Sequence, residues 1–168
     1  MRAPILLLLS LSFFVASVCA KNSSPAYPQN SPHSGPQTIC PWLTQGSAAR
    51  ALGGDVSVTV SVSSTSEGSC KFKVQHETPN SLEILVSKTK LPTCPVESTK
   101  LIGIGNEAMR CRLPASNGET AEMVNSRVRD VHMNVTLTTR GEKAPDKTSD
   151  RQRDVLEQIA EQVAGNLY

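Results

Sequence analysis

The sequence predicts an α+β domain, in which an antiparallel sheet of about six strands is covered on one face by a short N-terminal helix and a C-terminal amphipathic helix. Three patterns support this fold class. Valines alternate with serine and threonine from Val56 to Val62, as in a strand with one buried face. Further alternating segments follow as far as Arg140. Residues 149–168 instead place apolar side chains three and four positions apart, which predicts a helix.

The first predicted element is a short helix that begins after Thr44. Threonine is a good N-cap, and the alanine-rich stretch that follows favours helix. Gly53 and Gly54 then end it, because glycine accepts the left-handed conformation found at helix C-termini. At the other end of the domain, Ser149 is the predicted N-cap of the final helix.

The predicted strands are separated by turn-forming residues and by one proline-containing segment. They lie at 55–64, 70–75, 81–88 and 107–113, and in the two arms of a hairpin within 122–140 that turns at Arg129–Asp130. Residues 89–100, where prolines flank Cys94, are predicted to be irregular. In strand 107–113, Met109, Cys111 and Leu113 share one face, and Arg110 and Arg112 share the other.

The chain is predicted to be exported. Residues 1–20 contain one basic residue, an apolar run and a small-residue end, the layout of a secretory signal peptide. Cleavage after Ala20 is the favoured interpretation, and Cys19 leaves open a lipid anchor or a retained leader. Residues 21–37 are rich in Pro, Ser, Asn and Gln, which predicts a disordered spacer. Residues 38–168 then form a single domain, in the periplasm or outside the cell.

Charge and hydropathy exclude several classes of function. Of the 17 Lys and Arg residues, Arg2 lies in the leader, so 16 face 15 Asp and Glu in the mature chain. A charge near +1 gives no reason to predict nucleic-acid binding. No segment after the leader is apolar enough to span a bilayer. The chain therefore carries no predicted transmembrane span once the leader is removed.

Four cysteines remain after cleavage: Cys40, Cys70, Cys94 and Cys111. An even number in an exported chain predicts two disulfides, and four cysteines permit three pairings. Neighbouring cysteines are 16 or more residues apart, unlike the close pairs of a zinc site. The sequence therefore predicts no metal and no cofactor.

One segment, Gly103 to Ala108, has the G-x-G-x-x-A spacing of a dinucleotide-binding turn. That fingerprint requires a strand before it and a helix after it, whereas a strand is predicted to follow here. The interpretation is a tight turn or bulge where glycine allows positive φ. The nucleophile and metalloprotease motifs are missing too. His76–Glu77 is interpreted as a polar strand end, so the chain is predicted not to be an enzyme.

Four arginines provide a candidate anion or partner face: Arg110, Arg112, Arg127 and Arg129. If their strands are adjacent, four guanidiniums on one solvated face would bind a carboxylate or phosphate group. Glu107, Glu119 and Glu122 are close to them in sequence. Charge compensation by these glutamates is therefore the favoured alternative.

Several short segments together resemble small exported bacterial domains: C-P-W-L-T, A-L-G-G, S-C-K-F, G-I-G-N-E-A and L-E-Q-I-A-E-Q-V. Those domains include lipoproteins of unknown function and the extracellular sensor-type domains of receptor kinases. The resemblance implies an α+β fold, with disulfides joining Cys40 to Cys70 and Cys94 to Cys111. Asn106 stands where such domains usually have Asp.

The resemblance also implies a non-catalytic binding or sensor-like role in the cell envelope or extracellular space, with an envelope component or a protein as the partner. Two alternatives remain open: an accessory or inhibitor protein acting on a secreted enzyme, and a small exported hydrolase.

Overall fold

The computed structural model describes residues 39–75, 80–95, 97–114, 118–140 and 146–168, without the side chains of 146–150 and 152. All of these residues fall within one compact unit. The predicted signal peptide (1–20, with Cys19), the predicted spacer (21–37) and the His76–Glu77 pair lie outside the described residues.

The described residues form two helices and one antiparallel sheet of seven strands. The helices are α1 (Gln45–Leu52) and α2 (Asp146–Gly165). The strands are β1 (Val56–Ser64), β2 (Glu67–Val74), β3 (Ser81–Ser87), β4 (Ser98–Leu101), β5 (Glu107–Leu113), β6 (Glu119–Val128) and β7 (Val131–Arg140). The predicted α+β class is confirmed.

The strand order is β1-β2-β3-β7-β6-β5-β4, and every neighbouring pair is antiparallel. Two meanders, β1 to β3 and β4 to β7, therefore meet where β3 pairs with β7. The extra strand, β4, lies in the segment predicted to be irregular. It has only four residues without alternation, and its ladder bonds are made with β5 at the sheet edge.

Both helices cover the same face of the sheet. Along one row of paired residues, Cys70, Ile84, Val135 and Val124 are fully buried side by side across four strands. Apolar residues of the helices join this core, with Ala48 from α1 and Leu156 from α2 among them. The valines of β1 and the apolar side chains of β7 thus face inward, as their alternation predicts.

The ends of the helices agree with the sequence in one case and differ in the other. The Thr44 side chain accepts a hydrogen bond from the Ser47 amide, and Gly53 adopts φ 80° at the C-cap. These features confirm the predicted start and stop of α1. The prediction that Ser149 caps α2 is wrong, because α2 already begins at Asp146. The amphipathic pattern begins only after the first turn of this helix, and for this reason the sequence predicts a start that is too late in the chain.

Both disulfides have the pairing that the resemblance implies, Cys40–Cys70 and Cys94–Cys111. They lie on opposite faces of the sheet. Cys70 shares the helix-covered face with Ile84, whereas Cys111 pairs across the sheet with Met123 and Thr136 on the other face. The Cys94–Cys111 bond therefore attaches the chain between β3 and β4 to the face without helices.

Candidate functional site

The segment between β3 and β4 crosses the sheet on the face opposite the helices, and residues 88–95 are called the strap below. It must pass β7, β6 and β5, because β3 is central and β4 lies at the far edge. The Pro92 carbonyl accepts hydrogen bonds from the side-chain amides of Asn125 (3.5 Å) and Asn134 (3.1 Å). The Asn125 amide also donates to Asn134 Oδ1 at 2.6 Å.

The strap is thus fixed at two points, by two amides at Pro92 and by a covalent bond at Cys94. Asn134 is only 6 % exposed although it lies on the face that the sequence assigns to solvent. A buried amide is costly without partners, and the strap carbonyl supplies one. Asn134, which the alternation of β7 predicts to face outward, is therefore part of a polar contact with Asn125 and the strap that the alternation pattern did not reveal.

A pocket of about 240 Å³ lies between the strap and the ends of β5, β6 and β7. We call it the strap pocket. Its polar lining comprises side chains from the strap, β4, β5, β6 and β7: Lys90, Thr93, Ser98, Glu107, Asn125, Arg127 and His132. Lys90 and Arg127 give it two cations against the one carboxylate of Glu107. The Cys94 half of the disulfide and Met109 complete an apolar wall. A disulfide-linked segment and a rigid sheet thus form the two sides of the pocket.

The electrostatic character of the strap pocket depends on Arg127. Its guanidinium contacts Glu107 at 2.8 Å, but the two side chains are 41 % and 72 % exposed. An ion pair this exposed contributes about 0–1 kcal/mol, so a ligand anion competes with it readily. Lys90 adds a second cation, and His132 lies directly across from Arg127 in the β6–β7 ladder.

The structure does not bring the four candidate arginines together on one face of the sheet. Arg110 lies under α2 and forms an ion pair with Glu157. Arg112 is on the same helix-covered face, 3.7 Å from Glu122. Arg127 alone lines the strap pocket. On β5 the strap lies over the face of Met109 and Cys111. The opposite face carries Arg110, which pairs with a carboxylate of α2, and Arg112, whose side chain remains largely exposed.

The fourth arginine, Arg129, occupies the turn between β6 and β7 with φ 56°. Its guanidinium stacks over the Tyr168 ring at 5.3 Å from the centroid. The favoured alternative, charge compensation, is observed in two cases, Arg127 with Glu107 and Arg112 with Glu122. The Glu157 partner of Arg110 was missed, since nothing in the sequence brings α2 next to β5.

The glycine-rich segment forms the loop between β4 and β5. Gly103 and Gly105 have φ values of 90° and 62°, and Ile104 between them is 2 % exposed. The Ile104 carbonyl accepts a hydrogen bond from the Ser126 hydroxyl at 3.0 Å. The backbone N–H of Asn106 donates to the Arg127 carbonyl at 2.7 Å. A strand follows directly, so this segment is the turn at a strand start that the sequence predicts.

The same loop displays an apolar side chain to solvent. Ile102 is 93 % exposed, whereas Ile104, two residues further along the loop, is buried. On the far side of the loop, Asn106 Oδ1 accepts from the Arg129 amide at 2.7 Å. The loop is therefore rigidly attached to the β6–β7 turn, and Ile102 projects from a fixed support.

The described residues contain no group of three or more His, Cys, Asp or Glu side chains that could hold a metal ion. Within the same residues, no helix is long and apolar enough to cross a membrane. In comparisons with known proteins, no family model, curated protein or solved structure matches the chain.

Proposed function

We propose that this chain is an exported, non-catalytic binding or sensor-like domain that binds a small anionic ligand in the strap pocket. The observation that carries the proposal is that Arg127, Lys90 and His132 all line one concave site. Concave sites with a few convergent polar groups are where proteins bind small molecules. The two disulfides support a compartment outside the cytoplasm.

The chemistry of the lining favours a carboxylate over a neutral ligand. An arginine fork binds a carboxylate through two parallel hydrogen bonds, and the Arg127 guanidinium is held only by an exposed glutamate. A lysine from the strap adds charge, and the hydroxyl groups of Thr93 and Ser98 add orientation. The volume of about 240 Å³ is below the 300 Å³ or so typical of drug-sized ligands. We therefore propose a ligand of the size of an amino acid or a short dicarboxylic acid.

The test is thermal unfolding of the purified protein with acetate, succinate, glutamate and inorganic phosphate. A ligand at ten times its Kd stabilises the fold by about 1.4 kcal/mol, which raises Tm by roughly 4 °C in a domain of this size. We expect one of the carboxylates to give this rise.

Two matched variants locate the effect. Arg127→Gln removes the pocket guanidinium. Arg140→Gln removes an arginine that forms a similar cross-strand pair with Glu119 at the opposite end of the β6–β7 ladder. The carboxylate effect should vanish in the first variant and persist in the second. An equal response of both variants would contradict the proposed site.

A second function, an accessory or inhibitor protein that binds a secreted enzyme, is favoured by Ile102. Ile102 is a single apolar side chain that is 93 % exposed on a loop held by hydrogen bonds to β6 and to the β6–β7 turn. Such a side chain resembles the apolar anchors that become buried at the centre of many protein interfaces. Ile102→Ser should abolish co-purification of a partner from the culture fluid or envelope fraction and leave carboxylate binding unchanged. Co-purification that survives this change would rule out the loop as the contact.

A further inference from the structure

The outer edge of β1 is the longest uncovered strand edge among the described residues. β1 spans nine residues at one end of the sheet, whereas the strand at the opposite edge, β4, has four. The chain has neither a charged residue nor a proline between Asp55 and Glu67. Proteins usually protect edge strands by charge, proline or short length. β1 has none of these three protections, and the one irregularity in its pairing with β2 lies between Val62 and Ser64, at the end of the strand.

The alternation of the β1–β2 ladder shows which N–H and C=O groups of β1 face away from β2. The Asp55 carbonyl accepts from the Gln75 amide on the β2 side, so the peptide groups of odd-numbered residues face β2. Those of Val58, Val60 and Val62 therefore face outward. No described residue hydrogen-bonds to these three in the structure. Unpaired groups of this kind template the addition of another strand.

The two ends of this edge are already satisfied within the chain. The Gln45 side-chain amide donates to the Val56 carbonyl at 2.6 Å. Beyond the other end, the Trp42 indole donates to the Thr65 carbonyl at 2.8 Å. The open part of the edge is therefore confined to the middle of β1, a length that suits a short antiparallel pairing.

We propose that this middle part of β1 pairs antiparallel with the β1 strand of a second copy of the chain. A two-fold axis pairs residues i and j of the two copies at a constant sum of their numbers. That sum is even, because residues opposite each other in an antiparallel pair both turn their peptide groups towards the partner strand or both turn them away. Within Val56–Ser63, every two-fold register consequently places valine opposite valine and Ser or Thr opposite Ser or Thr. The repeated Val-Ser/Thr pattern of β1 is thus self-complementary on both faces, which favours a second copy over an unrelated strand.

Such a pairing supplies backbone and side-chain contacts together. Val58, Val60 and Val62 from each copy offer one N–H and one C=O apiece, or about six new hydrogen bonds across the axis. The same valines are half-buried on the helix-covered face, so the dimer would bury the apolar surface that each of them still exposes. Branched cross-strand pairs add about 0.2–1 kcal/mol each. The two seven-stranded sheets would then form one continuous sheet.

Sedimentation velocity of the purified protein over a range of concentrations tests the proposal. We expect a reversible monomer–dimer equilibrium. Val60→Pro removes the outward N–H but leaves the bonds to β2, because proline is tolerated where an edge N–H faces solvent. Ser61→Lys places a charge on the exposed face of the same edge. Each variant should weaken the dimer at least tenfold.

Val60→Ala is the matched control, because it shortens the same side chain and keeps the N–H. Its dimer should stay within about threefold of wild type, since only side-chain contacts are reduced. A thermal scan checks that each variant is folded, and Ser61→Lys carries the test if Val60→Pro does not fold. The proposal is overturned if the wild type remains monomeric at every concentration, or if the folded variants dimerise as strongly as the wild type.

Discussion

At the scale of single residues, the loop between β4 and β5 shows how one glycine can be replaced and another cannot. Both Gly103 and Gly105 adopt positive φ. A Cβ on Gly103 would meet nothing within 4 Å, whereas a Cβ on Gly105 would lie 2.5 Å from the Arg127 carbonyl and 2.8 Å from Ser126 Oγ. Gly105 therefore serves two purposes, a left-handed backbone and a close approach to β6.

Alanine substitutions separate the two requirements. Gly103→Ala should lower the free energy of unfolding by about 1–2 kcal/mol, the cost of a left-handed non-glycine residue. Gly105→Ala should cost clearly more, because β6 must also move away from the new methyl group. Urea denaturation of both variants measures the difference. Equal losses would show that the close contact with Arg127 does not constrain the loop.

The Arg110–Glu157 pair is the residue-scale contact that attaches α2 to β5. The two side chains are 18 % and 31 % exposed, against 41 % and 72 % for Arg127 and Glu107. Glu157→Gln leaves a largely buried guanidinium without its countercharge, so we expect a loss of about 1–2 kcal/mol. Glu107→Gln should change stability by less than about 0.5 kcal/mol. Chemical denaturation of both variants gives the comparison, and a larger effect at Glu107 would contradict it.

At the scale of elements, the strap is the feature that the sequence hid. The sequence shows its prolines and its cysteine, and the resemblance implies the disulfide pairing. Neither indicates which face of the sheet the strap crosses, because this face depends on β3 pairing with β7 rather than with β4. Long-range pairing of this kind leaves no local pattern. For the same reason the sequence separated the two faces of β5 correctly but did not show that the arginine face is the one on the helix-covered side.

The strap also gives an element-scale prediction. Removing the Cys94–Cys111 bond with a Cys94→Ala/Cys111→Ala double variant should cost about 3 kcal/mol in the loop-entropy description for a 17-residue separation. Hydrogen exchange should accelerate in the strap, and carboxylate binding should weaken, because one wall of the strap pocket is released.

The Cys40→Ala/Cys70→Ala variant is the control. Its disulfide lies on the helix-covered face and closes a 30-residue separation, so its stability loss should be similar while ligand binding is retained. A strap that keeps its protection from exchange without Cys94–Cys111 would mean that the Pro92 contacts alone hold it.

At the scale of the whole molecule, local patterns were sufficient for the fold class and insufficient for the site. The alternation of β1, β3 and β7 and the helical spacing of α2 are short-range properties, and they predicted an antiparallel sheet with helices on one face. The candidate site joins three consecutive strands, β5, β6 and β7, to the strap, which reaches them because it crosses the sheet from β3 to β4. Of the four candidate arginines only Arg127 lines the site, because the pairing register, which the pattern does not encode, puts Arg110 and Arg112 on the helix-covered face.

The helices stabilise one face of the sheet, and we propose that the other face binds a ligand beneath the strap. An NMR titration of the labelled protein with the carboxylate that raises Tm tests this proposal. We expect amide shifts to concentrate at Thr93, Asn125, Arg127 and His132, with no change on the helix-covered face. Shifts centred instead on the Ile102 loop, or no shifts with any of the four anions, would contradict it.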